Sequence, residues 1–346
     1  MREKKIIAYK GFDNNLQCRG FQYKVGETYE QEGKIECCNN GFHACTNPID
    51  VLKYYEMDYK NRFCMVEQYG KIDSTHVDTK TSSSKIKIKA EIGAIGLFKA
   101  YILWMKEMLN PFKLRIEAKK NISQSDDQNF LHNKCGNTTS NADKTKIGST
   151  VHDAKITLSG YGCHVGSSGI RTIIATSGGN GKIFSNGDNG IIASSGAYTH
   201  ICSSGNDTSI SSSGSCHIIA SSGKNTNIAT SGVNAKIGSI GDDTSIATSG
   251  FRDRIVSSGN YSRIATNSHL AQVESLGEHS IIFCGGNCSI AKAKVGSWIT
   301  LSEWSSSIGN QKFMPICVKT EYVDGKRIKG DTWYWLKDGE FKEINM

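Results

Sequence analysis

The chain has almost no proline and no long apolar run. Its three prolines, Pro48, Pro111 and Pro315, leave residues 112 to 314 without one, and proline is the residue that removes a donor from a β-ladder. The stretch is therefore open to uninterrupted sheets. The longest apolar candidate, Ile92 to Leu109, is broken by Lys99, Lys106 and Glu107, short of the roughly 20 apolar residues that span a bilayer. A membrane partner is not expected. The opening Met-Arg-Glu-Lys-Lys-Ile-Ile has no apolar h-region and no small-residue cleavage site, so a cytoplasmic location is expected. The twelve cysteines include no C-x-x-C pair, and in the cytoplasm such cysteines are expected as thiols rather than a disulfide framework. Charge of one sign is not dominant either. Lys+Arg number 41 against 33 Asp+Glu, a formal +8 that hints at an acidic partner.

Glycine is what the chain has in quantity, 36 residues, and their spacing organises the middle of the sequence. Seventeen nonads run from Ala142 to Lys294 without insertion, with the consensus G-x-x-[TAS]-x-I-x-S-S. Position 1 is glycine in fourteen, position 6 is Ile or Val in all but Ala291, and position 8 is Ser or Thr in fourteen. Alternation along a strand puts positions 4, 6 and 8 on one face and 5 and 7 on the other. Each unit thus offers one β-branched residue that only a stacked neighbour can bury. The expected fold is mainly β: a β-solenoid (β-roll or β-helix) of seventeen nonapeptide units. Glycine and the Asn/Asp pairs beside it, such as Asp188-Asn189 and Asp242-Asp243, are expected at the corner, where φ > 0 is tolerated. Two nonads per coil are favoured over three, since one large inward residue between small ones suits a thin two-sheet roll. Calcium is not expected, because the fixed aspartates of calcium-binding nonads are missing.

A small α+β domain is expected over residues 1–116. It holds short strands at Ile6 to Tyr9 and Phe21 to Val25, a helix capped by Asn47-Pro48, and a helix at 93–109 able to plug an open end of the solenoid. Polar residues 117–141 read as a linker, 142–294 as the solenoid, and 295–346 as a C-terminal β-hairpin cap that protects the last coil from edge pairing.

Tyr9-Lys10-Gly11-Phe12, Cys18-Arg19-Gly20-Phe21-Gln22-Tyr23 and Gly41-Phe42-His43-Ala44-Cys45 at the front, with Asp331-Thr332-Trp333-Tyr334 and Asp338-Gly339-Glu340 near the end, together resemble an uncharacterised family of phage and prophage proteins. That family has this N-terminal domain, a Gly-rich repeat array and a D-T-W-Y-x-L-x-D-G-E segment. The resemblance implies a viral or mobile-element origin, where small proteins act on host machinery. The expected function is a non-enzymatic interaction protein whose solenoid binds a host protein or ribonucleoprotein target, inhibiting a host defence complex in the manner of an anti-CRISPR. No cofactor is expected, and self-association into a homo-oligomer is compatible with the repeat. The order strand, Gly-Phe-His, helix, Tyr-Tyr also resembles ADP-ribosyltransferase-like folds, in which a His and a Tyr hold NAD. On that alternative His43 and Tyr54 are the site residues, with Glu67 as the polarising carboxylate.

Two further sets of residues are candidates. Outward cations Lys146, Lys155, Lys182, Lys236, Arg254 and Arg263, spaced along a flat β-face, could track nucleic-acid phosphates, and outward Ile173 and Ile191 could form an apolar strip for a protein partner. Cys38, His43 and Cys45 are weak candidates for a metal site, since structural zinc usually shows two close ligand pairs. The more ordinary reading is buried thiols and a hydrogen-bonded histidine.

Overall fold

The computed structural model describes residues 5–74, 78–114, 130–132, 137–305 and 314–344. The chain divides into two compact units, one up to Trp104 and one from Met105 onward.

The first unit is a small antiparallel barrel. Its strands are β1 (Ile6–Asp13), β2 (Gln17–Cys18), β3 (Phe21–Gln22), β4 (Thr28–Glu30), β5 (Phe42–Cys45), β6 (Asn61–Ser74) and β7 (Lys80–Glu91). The sheet order is β4-β7-β5-β1-β6, and β6 pairs back onto β7 as a long hairpin, which closes β7, β5, β1 and β6 on themselves. Ala8, Phe12, Tyr23, Val66, Ile86 and Ile88 fill the inside. The expected capped helix is a 3₁₀ turn, Pro48–Lys53, in which the Asn47 side chain accepts from the Ile49 N–H. The expected long helix is α1 (Gly93–Met108).

The second unit is a β-solenoid. Lys146–Ser149 pairs in parallel with His164–Ser167, and Lys155–Leu158 with Ile173–Thr176, so each strand finds its neighbour eighteen residues along. Two nonads make one coil, and alternate nonads form the body of a twelve-stranded and an eleven-stranded sheet, which strands before and after the array extend. Ile183, Ile192, Ile201, Ile210 and Ile219 are fully or almost fully buried between the sheets, each contributing about 2–3 kcal/mol of apolar burial. Polar positions 8 and 4 complete the interior with a hydroxyl relay. Ser167 Oγ donates to Thr172 Oγ1 at 3.2 Å, which donates to the Gly169 carbonyl at 2.7 Å, and the Ser203, Ser221 and Ser239 corners repeat it. At these corners the buried hydroxyls are satisfied across the turn, whereas Ser185 Oγ and Ser212 Oγ are buried without a partner.

The corner glycines differ from expectation. Positive φ falls at position 3, not position 1, and is carried by residues as unlike as Asn189 (φ 57), Tyr198 (φ 57), Asp207 (φ 54) and Leu270 (φ 58). That conformation turns the N–H along the rod, so Asp207 N–H donates to the Lys224 carbonyl and Asp243 N–H to that of Asn260, both at 2.9 Å. One ladder bond per corner offsets the roughly 1–2 kcal/mol cost of a left-handed residue. Position 1 is glycine for a different reason, close approach: a Cβ on Gly241 would lie 2.0 Å from the Gly223 carbonyl oxygen one coil earlier. Asn and Asp at position 2 form a ladder of their own. Asp188 Oδ1 accepts from Asn206 N–H at 2.7 Å, and Asn206 Oδ1 accepts from Lys224 N–H at 2.9 Å.

The start of the solenoid corrects one expectation. Phe130–His132 and Asn137–Ser140 already pair with the first coil, so the later part of segment 117–141 belongs to the sheets rather than to a linker; residues 117–129 lie outside the described residues. The segment following α1 packs on the side of the solenoid. Pro111 and Leu114 lie on Gly148, and Leu109 and Leu114 on Gly166, where added Cβ atoms would meet backbone oxygens at 2.5 and 1.9 Å. This segment therefore covers the outer face of the twelve-stranded sheet at its first strands, Lys146–Ser149 and His164–Ser167. The C-terminal cap is as expected. Pro315–Tyr322 runs antiparallel on Trp298–Trp304, and Tyr334–Lys337 on Ile290–Lys292, with Glu340–Glu343 outermost.

Candidate functional site

The barrel unit contains a cavity of about 850 Å³, lined among others by Tyr9, Lys10, Cys18, Arg19, Phe21, Tyr23, Tyr29, Phe42, His43, Tyr54, Tyr55 and Lys80. Lys10 comes from the middle of β1 and is 6% exposed. Its Nζ donates to Cys18 Sγ at 3.3 Å and to the His43 carbonyl at 3.1 Å, and it lies 5.4 and 5.5 Å from the ring centroids of Phe12 and Tyr23. Cys18 Sγ accepts a second hydrogen bond, from Tyr55 Oη at 3.0 Å. Gly11 makes this geometry accessible, because any Cβ there would meet the Tyr55 ring at 2.4 Å. Phe21, Tyr23, Tyr29 and Phe42 pack edge-on with centroids 4.8 to 6.5 Å apart and form an aromatic wall.

The lining is electropositive. Burial lowers the Lys10 pKa, and burial followed by the cations Lys10, Arg19 and Lys80 pulls His43 down to about 4, so its imidazole is neutral at pH 7. His43 Nε2 accepts from the Cys38 N–H at 2.9 Å. Lys80 is held above the usual lysine range by hydrogen bonds to Cys38 and Tyr54, and Tyr54, raised to about 12 by burial and by its bond to Asp78, lies under the Lys80 Nζ at 4.7 Å. Arg19, at the exposed rim, has no hydrogen-bond or ion-pair partner among the described residues. The one acidic residue in the lining, Glu30, is paired with Lys85 at 3.0 Å.

His43 and Tyr54 are thus brought to one cavity, together with Tyr9 and Tyr55. Glu67 is not. It is held by Lys5 at 3.1 Å and Lys89 at 3.7 Å and takes no part in the lining, so the ADP-ribosyltransferase-like reading lacks its carboxylate. Among the described residues no three His, Cys, Asp or Glu side chains come together as metal ligands. Cys38 and His43 meet through a backbone bond that occupies His43 Nε2, and Cys45 is a buried thiol raised to about 12 by burial. Lys10, Cys18 and Arg19 were legible only as parts of the Tyr-Lys-Gly-Phe and Cys-Arg-Gly-Phe motifs, which carry no chemical signature alone, whereas Tyr55 belonged to the Tyr-Tyr pair of the ADP-ribosyltransferase-like order.

The candidate residues of the array fall on two faces rather than one. Lys146, Lys182, Lys236 and Arg254 stand on the twelve-stranded sheet, half-buried and each already engaged; Arg254, for example, donates to the Leu270 carbonyl at 2.8 Å. His164, between Lys146 and Lys182 in register, is lowered to about 4 by burial and then by those two cations. Outward position 7 of this sheet is buried at Phe184, Cys202, Ala220 and Val256, so the sheet offers no open cationic track. The eleven-stranded sheet differs. Lys155 and Arg263 are exposed there, with Ile173, Ile191 (49% exposed), Ile281 (54%) and Phe283 between and beside them.

A family model described as a domain of unknown function, DUF7666, matches residues 6–100, the stretch that contains the cavity. No curated protein and no solved structure matches the chain. No helix among the described residues is long and apolar enough to cross a membrane.

Proposed function

We propose that the chain is a non-enzymatic interaction protein of phage or mobile-element type, whose solenoid holds a host protein on the outer face of the eleven-stranded sheet and so inhibits a host defence complex. Two exposed apolar clusters on one face, Ile173 with Ile191 and, five coils further on, Ile281 with Phe283, support this reading most. These residues sit on a rigid ladder, so binding orders little backbone and loses little entropy. A protein partner fits this face better than nucleic acid. Its charge is limited to Lys155 and Arg263, 108 residues and so six coils apart, whereas affinity for nucleic acid scales with the number of phosphates neutralised.

The test is affinity capture from host lysate with the wild type and an Ile191→Glu, Ile281→Glu variant side by side. A species held by the wild type should be lost from the variant, with affinity reduced about a hundredfold, as for two central apolar anchors. Its affinity should fall with salt with a log–log slope no steeper than about −2, the value for two released counterions. Equal retention by both proteins, or a slope of −5 or steeper on that same counterion scale, would contradict the reading.

A further inference from the structure

Lys10 is a buried lysine with no carboxylate partner among the described residues. Its ammonium is hydrogen-bonded to a thiol sulfur and a peptide carbonyl, and the groups that act on it electrostatically are Cys18, Cys45 and Arg19, with no carboxylate among them. Buried charges in folded proteins are normally paired, because desolvation of a lone ion costs several kcal/mol. Here the Lys10 amine, without a carboxylate partner, borders a cavity of about 850 Å³, together with Arg19, which has no hydrogen-bond or ion-pair partner among the described residues, and with Lys80, whose hydrogen-bonding partners Cys38 and Tyr54 are a thiol and a phenol. Three cations on one concave lining focus a positive potential into it. The opposite requirement comes from the wall of Phe21, Tyr23, Tyr29 and Phe42, of which Phe21 is 47% exposed. The exposed ring of Phe21, held by the packed rings behind it, favours a flat ring. The volume lies within the range of small-ligand sites.

We propose that this cavity is a nucleotide-binding site, with the phosphate group supplying the missing counter-charge of Lys10 and Arg19 and the base lying against the aromatic wall. It is separate from the solenoid face and independent of the partner proposed there. A structural role alone does not account for Lys10, since a methionine would fill the same space with no ion to desolvate.

Calorimetric titration of the full chain with AMP, ADP, adenosine and inorganic pyrophosphate tests the assignment. AMP or ADP should bind, and adenosine and pyrophosphate should each bind at least about tenfold more weakly, the loss of about 1.4 kcal/mol of contacts. Lys10→Met should weaken the nucleotide at least tenfold on that scale while the chain remains folded by circular dichroism, and Arg19→Ala should do the same. Bound nucleotide should also slow alkylation of Cys18 by iodoacetamide, read by peptide mass spectrometry, because Cys18 lines the cavity. Absence of binding by AMP and ADP at millimolar concentration would overturn the proposal, as would undiminished affinity in folded Lys10→Met. Pyrophosphate binding as tightly as ADP would remove the base from it.

Discussion

Gly241→Ala is expected to cost the solenoid about 3 kcal/mol or more, a larger loss than most single substitutions produce. Alanine is the better residue for most backbones, so the sign is informative. Gly241 needs no left-handed φ. Its constraint is the Gly223 carbonyl oxygen, 2.0 Å from where the Cβ would stand, with the Gly223 carbonyl carbon at 2.5 Å and the Lys224 nitrogen at 3.0 Å. All three are backbone atoms, and they cannot move without opening the ladder between coils. The same clash recurs at Gly205, at 2.1 Å, and at Gly259, at 1.9 Å. Gly179, at position 2, is the control: its nearest atom would be 3.2 Å away, and alanine there should change stability by less than about 1 kcal/mol. Urea unfolding followed by circular dichroism compares the two. Equal effects would mean that the corner is set by local glycine flexibility rather than by the approach of one coil to the next.

Asp253→Asn is expected to stabilise the chain by about 2 kcal/mol at pH 7, the scale on which a neutral isostere replaces a buried charge. Asp253 is fully buried at a position where Thr208, Thr226 and Thr244 serve other corners. One oxygen accepts from the Ala235 N–H at 3.0 Å, and the other has no partner. Burial raises its pKa against the opposing hydrogen bonds. The sign of the pH dependence follows. An acid whose folded pKa lies above its unfolded value, near 3.9, binds more protons when folded, so it destabilises at high pH and ceases to do so as pH falls below both values. The advantage of Asp253→Asn should therefore shrink as pH falls and vanish below about 4. His217, fully buried two coils earlier, works in the other direction. Burial lowers its pKa, so stability is full above its unfolded value near 6.5 and is lost as pH falls through the folded one. Asp253→Asn should leave that acid loss in place.

The repeat made the solenoid legible. A nine-residue period with Ile or Val at position 6 through Ile282 specifies which side chain each strand buries, and the structure buries those residues. Coil length was harder, because a nine-residue ruler is satisfied equally by coils of eighteen or twenty-seven residues. Only pairings such as Ile183 with Ile201 distinguish them. The glycine role was misassigned for a related reason: contact between Gly241 and Gly223 is made eighteen residues away, while the left-handed position two places on is filled by the expected Asn or Asp at Asn189, Asp207 and Asp243 but by residues such as Tyr198 and Leu270 elsewhere. In the barrel, His43 and Tyr54 were found through motif order. Lys10, Cys18 and Tyr55 meet only because β1, β2 and the turn after Pro48–Lys53 converge, and that convergence depends on the closure of β6 onto β7. Glu67 shows the opposite case, a carboxylate at a suitable place in the sequence whose side chain goes instead to Lys5 and Lys89.

The rigid two-nonad coil underlies both the open sheet face and its spacing, and one distance measures it. Nitroxide labels attached through ketone-bearing residues at Lys155 and Arg263 leave the native cysteines untouched and can be read by double electron–electron resonance. The two sites share the exposed face and lie 108 residues apart. Six coils of eighteen residues place their Cα atoms about 29 Å apart at 4.8 Å per coil, with a narrow distribution. A distance of about 19 Å, the four-coil value for three nonads per turn, or a broad distribution without a defined maximum, would contradict the structure and the interaction face built on it.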